Sequence, residues 1–412
     1  MKFGCIGGSL KHSFSKQIHN KLGDDYELLE LVPEELEAFM EAKDFEAINV
    51  TLPYKESIIR YLDEIDKDAE AIGAVNTVVK RDGRLIGYNT DFYGLNMLAM
   101  HAGVDFYEKK VIVLGTGGTS KTAVAVSSAM GASEVIVVSR KKANGVINYD
   151  EAYKYHRDAQ IIVNATPVGM YPKILGKSLE VSKFPKLEGV LDVVYNPIVT
   201  PLVLDARKHK VKAEGGLYML VAQAVRASEI FHSKAHPEGT VEKLYRELET
   251  ENKNIVLIGM PSCGKTTVGK LIAKKMGREL MDIDTMIEER TESEISKILE
   301  SRGEEAFRDI ESTVLLAAAP KNGIVIATGG GVVLRAENMA ALRENGKIYF
   351  IDRPLEKLTP TEDRPLSATK EALERIYNDR IYLYNKHSDV RIDADTTPEE
   401  IADKIIKDFL GK

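Results

Sequence analysis

Gly259-Met-Pro-Ser-Cys-Gly-Lys-Thr266 follows the apolar run Asn254-Ile-Val-Leu-Ile258 and opens a stretch with helical spacing. Val268, Leu271, Ile272 and Met276 fall on one face of that helix, and Gly277 is placed to end it. Strand, Gly-x-x-x-x-Gly-Lys-Thr and helix, in this order, make a phosphate-binding P-loop. Gly259 and Gly264 let backbone N–H groups turn inward around phosphate oxygens, and the helix N-terminus adds the positive end of its dipole. Lys265 is the residue that reaches the outer phosphates, and the Thr266 hydroxyl is the one that takes Mg²⁺. Ser262, Cys263 and Thr267 complete the expected ATP-contacting set. Only a small kinase-sized domain fits after this loop, so the longer upstream part needs a reading of its own.

The chain has 412 residues, enough for two or three domains, with 44% hydrophobic and 29% charged residues. A net charge of −7 argues against nucleic acid as a partner. No apolar run approaches the ~20 residues of a membrane span, and Met1-Lys-Phe-Gly-Cys5 lacks the shape of a signal peptide. Cys5 and Cys263 lie in different expected domains, so no disulfide framework is expected and a reducing cytoplasm fits. Cytoplasmic localisation, no membrane and no nucleic acid are therefore the expectations, with oligomeric state open.

At the start, Lys2–Ile6 reads as a strand, followed by Gly7-Gly-Ser9, by His12-Ser-Phe-Ser15 and by a helix to Leu22. Ser13 and Ser15 stand where hydroxyls either cap that helix or bind an anion. A strand over Tyr26–Leu31, a helix over Pro33–Lys43 and a strand over Ala47–Thr51 follow, which indicates a wound α/β sheet. Lys55, in Asn49-Val-Thr-Leu-Pro-Tyr-Lys55, comes just after a strand end, where such folds place chemistry. Gly73-Ala-Val-Asn-Thr77, a turn at Arg81-Asp-Gly83 and Gly87-Tyr-Asn-Thr-Asp91 come next. Asp91 opens a helix, where a carboxylate commonly caps or faces the dipole.

These phrases in this order resemble the shikimate dehydrogenase family, over roughly Met1 to Ser233. The resemblance implies that Ser13 and Ser15 hold a substrate carboxylate and that Lys55 and Asp91 are the catalytic pair. It implies substrate contacts from Thr51, Asn76, Asn89, Tyr195 and Gln223. Where the family usually has proline after the second serine, this chain has Lys16.

Lys110-Val-Ile-Val-Leu114 runs into Gly115-Thr-Gly-Gly-Thr119 and a helix, a dinucleotide loop with Gly115, Gly117, Gly118 and Thr119 as cofactor contacts. The next strand ends at Ser139-Arg-Lys-Lys142, about 20 residues on, where a basic residue marks a 2′-phosphate. Arg140 and Lys141 thus read either as NADP ligands or as a plain basic turn. The resemblance carries over Arg140 and adds Thr166 and Gly215 to the NADP set. After Lys142 little room is left for the usual next helix.

In the last part, Leu280-Met-Asp-Ile-Asp284 reads as a strand end whose two carboxylates share one side. They either serve Mg²⁺ and a hydroxyl or are solvated. Arg308 lies on a helix, and Thr328-Gly-Gly-Gly331 follows an apolar strand. Glu362-Asp-Arg364-Pro and Asn378-Asp-Arg380 come later. This order resembles shikimate kinase, from about Lys253 onward. That implies Asp284 as activator of the accepting hydroxyl, and Arg308, Arg380, Gly329, Gly330 and Gly331 as substrate contacts. It further implies Asp282 as a Mg²⁺ support and Arg364 as a catalytic lid residue on the phosphates.

The expected architecture is α/β throughout. A substrate-binding domain spans 1–105, completed by 205–235, and a Rossmann NADP-binding domain spans 106–204. A linker helix over 236–253 leads to a P-loop kinase domain with a parallel sheet over 254–412. The resemblances imply a bifunctional enzyme using NADP(H), ATP and Mg²⁺. Its first half reduces 3-dehydroshikimate to shikimate and its second phosphorylates shikimate. Two alternatives are an NAD-dependent quinate/shikimate dehydrogenase, and an active dehydrogenase carrying a non-catalytic nucleotide- or shikimate-sensing module.

Overall fold

A computed structural model describes residues 1–10, 13–171, 178–360 and 365–411. The chain divides into two compact units, Met1–Leu248 and Glu249–Lys412.

The first unit holds two sheets. One is built from β1 (Phe3–Gly7), β2 (Tyr26–Glu30), β3 (Ala47–Val50), β4 (Glu64–Ile65), β5 (Thr77–Arg81) and β6 (Arg84–Tyr88). Their order is β2-β1-β3-β5-β6-β4. All five residues of β1 are buried, and it pairs in parallel with both β2 and β3. The β5–β6 hairpin is antiparallel and turns at Asp82 and Gly83, both at positive φ (50° and 77°). Consecutive positive φ values match the turn to the twist of the flanking strands.

The other sheet of this unit contains β7 (Lys110–Leu114), β8 (Glu134–Val138), β9 (Val146–Ile147), β10 (Ile161–Asn164), β11 (Gly189–Asp192) and β12 (Lys212–Glu214). It is wholly parallel, in the order β12-β11-β10-β7-β8-β9. Val111–Leu114 are fully buried because layers cover both faces, hence the unbroken apolar run. The strand order reverses between β7 and β10, which opens a ligand crevice at the strand C-termini.

The segment after Lys142 departs from expectation. Ala143 and Val146 pair across a tight turn, β9 follows, and a seven-residue helix Tyr149–Tyr155 forms. Asn148 and Glu151 make a reciprocal capping box that satisfies its N-terminus, which makes so short a helix viable. The stretch expected as a linker is a helix over Thr240–Asn252. Leu244 and Leu248 on it pack with Ile18, Leu217 and Val221, so the helix begins as part of the first unit's core. Each such buried leucine contributes roughly 2 kcal/mol.

The second unit has one parallel sheet of β13 (Asn254–Ile258), β14 (Leu280–Asp282), β15 (Val325–Ala327), β16 (Gly346–Asp352) and β17 (Val390–Asp393). Its order is β14-β15-β13-β16-β17, which puts fully buried β13 at the centre. The helix Lys265–Met276 starts at the P-loop and ends at left-handed Gly277. Here too a local expectation fails. The strand stops at Asp282, and Asp284 lies in the first turn of the helix Ile283–Thr291. Asp282 caps that helix by accepting from the N–H groups of Asp284 and Thr285, so the two carboxylates do not share a strand face. Among the described residues no helix is long and apolar enough to cross a membrane.

Candidate active sites

In the first unit, Lys55, Asp91, Ser13, Ser15, Thr51, Asn76, Tyr195 and Gln223 line one cavity of about 370 Å³. Lys55 is delivered by the turn after β3, and Asp91 by the first turn of the helix Thr90–Ala102. The Lys55 Nζ lies 2.6 Å from Asp91 Oδ2, with Asp91 only 2% exposed. The Asn76 amide donates to Asp91 Oδ1 at 2.8 Å and to Gln223 Oε1 at 3.3 Å. Asp91 is therefore not the helix cap. Asn89 is, accepting from the Phe92 N–H while its amide donates to Ala74 O. That engages both ends of Asn89 in structural bonds, and it is not among the residues that line the cavity.

Phe14 holds the N-cap position of the Ser15–Leu22 helix without a side-chain bond, and Ser13 serves the first helical N–H from one residue further out. The Ser13 hydroxyl accepts from the Ser15 N–H and donates to Ser15 Oγ at 3.1 Å, so both hydroxyls stand together at the cavity edge. Tyr195 bonds to Ser13, while burial pushes its phenol up to about 12. It is thus a neutral donor beside them.

The dinucleotide loop meets the same cavity through Thr119, whose hydroxyl lies 3.4 Å from Lys55 Nζ. Gly115 sits at φ 110°, and a Cβ there would come within 3.1 Å of Ala165 O. Gly117 precedes the helix Gly118–Ala129 without a side-chain cap, so its first-turn N–H groups are available to an anion. Thr166 turns its hydroxyl onto Asn164 Oδ1 at 2.7 Å, and Asn164 in turn holds buried Asp192 at 2.9 Å. Gly215 packs against Ile198 O; its neighbour Gly216 is the one in the cavity wall. Arg140 and Lys141 are exposed at the end of β8, and among the described residues neither pairs with a carboxylate, whereas Lys142 pairs with Glu151.

The second unit has its own cavity, of about 490 Å³, lined by Thr266, Asp282, Asp284, Arg308, Glu311, Gly329, Gly330, Gly331 and Arg380. The Thr266 hydroxyl donates to Asp282 Oδ2 at 2.6 Å. Lys265 is buried and donates to Gly259 O and Met260 O, with Cys263 Sγ 3.7 Å away. Thr267 faces solvent, and Ser262 and Gly264 hold positive φ in the loop. Arg308 Nη1 donates to Glu311 Oε2 at 2.8 Å and Nη2 to Glu304 Oε1 at 3.1 Å. Glu311 is fully buried; that burial raises its carboxyl against the pull of Arg308. Its Oε1 has no hydrogen-bond partner and, like Asp284 Oδ1, crowds the place a Gly329 Cβ would take. Arg380 Nη1 and the Tyr384 hydroxyl both donate to Gly330 O, at 3.1 and 2.5 Å, which fixes the glycine strip. Arg364 lies outside the described residues.

The shikimate dehydrogenase substrate binding domain family matches residues 5–78, and the shikimate kinase family matches residues 261–410. The shikimate dehydrogenase (NADP(+)) of Clostridium perfringens (strain SM101 / Type A) is 35% identical over 270 residues, covering 60% of this chain and 98% of that protein. The chain belongs to the shikimate dehydrogenase family and carries a shikimate kinase domain. Solved structures agree for the dehydrogenase part. Shikimate dehydrogenase 1 from Peptoclostridium difficile is 37% identical with a TM-score of 0.57, over 61% of this chain and 99% of that one. A chorismate mutase/shikimate 5-dehydrogenase fusion protein from Clostridium acetobutylicum is 33% identical with a TM-score of 0.56, over 60% and 96%. The Thermus thermophilus enzyme, solved with NADP(H) and shikimate, is 28% identical with a TM-score of 0.54, over 60% and 99%.

The two cofactor sets fit the residues present. In the dehydrogenase part, a glycine-rich loop at a helix N-terminus that has no side-chain cap, and two cations at the end of β8 without carboxylate partners among the described residues, suit the phosphates of NADP(H). In the kinase part, the Thr266–Asp282 oxygen pair suits Mg²⁺, which takes one or two protein oxygens and the rest from nucleotide phosphates and water. Sequence reading passed over three residues that line these cavities, Asn49, His19 and Glu311. Asn49 stands inside a quoted motif and Glu311 three residues after Arg308, so spacing could have flagged both.

Proposed function

We propose that the first site reduces 3-dehydroshikimate to shikimate with NADPH, and that the second transfers the γ-phosphoryl group of Mg²⁺-bound ATP to shikimate. The observation that carries this reading is the buried Lys55–Asp91 pair at 2.6 Å, in one cavity with Ser13, Ser15 and Gln223. NADPH supplies the hydride when bound. The two serine hydroxyls and Tyr195 receive the substrate carboxylate. The Lys55 ammonium then stands beside the ring oxygen, where it stabilises developing alkoxide charge and donates the proton. Asp91, locked by Asn76, orients that ammonium and accepts from the neighbouring hydroxyl. Arg140 and Lys141 select the 2′-phosphate.

In the second site Arg308 and Arg380 receive the shikimate carboxylate as planar forks. Asp284 accepts the proton of the attacking hydroxyl, and Lys265 neutralises charge on the phosphates. Thr266 and Asp282 would hold Mg²⁺, and Arg364 would bring a further positive charge to the phosphates. Positioning and charge neutralisation supply most of this catalysis. The domain limits under this reading are 1–105 with 205–235, 106–204 and 254–412, and the setting is cytoplasmic.

Split assays on the purified full chain test the proposal. One follows shikimate-dependent NADP⁺ reduction, the other ATP-dependent phosphorylation of supplied shikimate. Lys55→Ala is expected to abolish only the first and Lys265→Ala only the second. A wild-type chain without phosphoryl transfer would overturn the kinase half.

A further inference from the structure

One wall of the dehydrogenase cavity has no part in the chemistry above. His19 lines it, one turn after Ser15 on the same helix, and is 1% exposed. Its Nδ1 lies 2.7 Å from Asp24 Oδ2, and Asp24 Oδ1 lies 2.6 Å from His232 Nε2. Asp24 is also hydrogen-bonded to Ser228. His232 is the last residue of the helix Leu217–His232, and its side chain is 42% exposed. On its other side, His19 is hydrogen-bonded to Asn49, a second cavity residue. Tyr26 stacks on the His19 ring at 4.0 Å and donates its hydroxyl to Asn49 Oδ1 at 2.6 Å. Phe231 also stacks with His19, their ring centroids 5.5 Å apart. A continuous set of side chains, Asn49, His19, Asp24 and His232, thus joins the cavity to the protein surface.

The charges within this set are ordered. Burial works against the Asp24 carboxylate, yet hydrogen bonds from His19 and His232 outweigh it and hold the group below its usual range. Burial lowers His19, against the pull of Asp24, so this imidazole is neutral near neutral pH. A neutral ring facing an ionised carboxylate carries its hydrogen on Nδ1 and keeps a lone pair on Nε2. Three elements are tied by these bonds. They are the helix that starts at Ser15, the strand β3 that carries Asn49, and the end of the helix that carries Gln223. Lys55 and Asp91 have bonds of their own to Thr119 and Asn76, and Asn76 in turn accepts from the Asn49 amide at 3.3 Å and donates to Gln223.

We propose that His19 is a substrate-positioning residue of the dehydrogenase site, clamped by Asp24 and His232. Through it, the wall that receives the substrate carboxylate is keyed to the helix that carries Gln223. This rests on the dehydrogenase reading above. The clamp sets where Ser15 and Asn49 stand. Loosening it therefore weakens binding of the acid substrate and spares both the proton donor and the cofactor loop.

The test is steady-state kinetics of shikimate-dependent NADP⁺ reduction by the full chain, comparing wild type with Asp24→Asn, His232→Leu and His232→Gln. His232→Leu and Asp24→Asn are expected to raise KM for shikimate roughly fivefold to tenfold, with kcat and KM for NADP⁺ within about twofold. His232→Gln, whose side-chain amide can still donate to Asp24, is expected to recover most of the loss. His232 is partly exposed, so its two variants decide the matter even if Asp24→Asn fails to fold. KM for shikimate within twofold of wild type in His232→Leu would overturn the clamp. So would a parallel change in all three constants, which marks a merely structural role. A wild-type chain inactive with shikimate and NADP⁺ would instead overturn the dehydrogenase reading, and the clamp with it.

Discussion

Asp91 has each oxygen engaged, Oδ2 by the Lys55 ammonium at 2.6 Å and Oδ1 by the Asn76 amide at 2.8 Å. The carboxylate cannot rotate without losing one of them, so the ammonium is aimed before substrate arrives. Asp91→Asn keeps the shape but removes the charge that faces Lys55. Its kcat/KM for shikimate oxidation should fall about 10²–10⁴-fold, as for loss of a proton-transfer partner. Phosphoryl transfer by the same chain should stay unchanged. A loss under tenfold would remove Asp91 from the catalytic pair.

Glu311 braces Arg308 from a fully buried position. Glu311→Ala leaves a buried guanidinium short of one partner, a change that costs about 3–5 kcal/mol for a buried pair. The kinase reaction should show KM for shikimate raised at least tenfold with KM for ATP little altered, and a lowered melting temperature. Equal effects on both KM values would place Arg308 elsewhere than at the carboxylate.

Arg140 and Lys141 stand exposed at the end of β8 without carboxylate partners among the described residues. Arg140→Ala should raise KM for NADP⁺ by roughly tenfold, the value of one charge-assisted contact to a phosphate. The rate with NAD⁺, which has no 2′-phosphate, should be unaffected. Parallel losses with both cofactors would mean that Arg140 supports the fold and not the choice of cofactor.

Glu344 gives a pH prediction. Burial alone pushes its carboxyl up from 4.5 to about 8. A carboxyl raised in the folded state binds more protons folded than unfolded between those values. Its stabilising contribution is therefore full below about 4.5 and is lost as pH rises toward about 8. Glu344→Gln stays neutral throughout. Thermal inactivation of the kinase activity should thus differ more between wild type and variant at pH 9 than at pH 6, with the variant the more stable at pH 9. No change in that difference between the two pH values would contradict the buried-acid account.

What could be read in the sequence was whatever the backbone brings together locally. The P-loop is contiguous, and its strand, glycines and helix follow one another, so Lys265 and Thr266 could be placed from spacing alone. Lys55 and Asp91 stood at element boundaries in short motifs, and the family resemblance joined them. The misses have physical causes. Asp282 gives its carboxylate to the N–H groups of Asp284 and Thr285, which turns an apparent strand end into a helix start. Asn89 is used as a cap and Asn76 as the cavity residue, although both lie in similar polar motifs. Asp24 meets His232 across 208 residues, a pairing set by how the returning helix packs and not by any local pattern.

The most direct measurement supplies the purified full chain with 3-dehydroshikimate, NADPH, Mg²⁺ and ATP and follows the products by mass spectrometry. The account predicts phosphorylated shikimate, with NADPH and ATP each required. Lys265→Ala should stop at shikimate, and Lys55→Ala should make product only from added shikimate. Accumulation of unphosphorylated shikimate by the wild-type chain, with Mg²⁺ and ATP present, would contradict it.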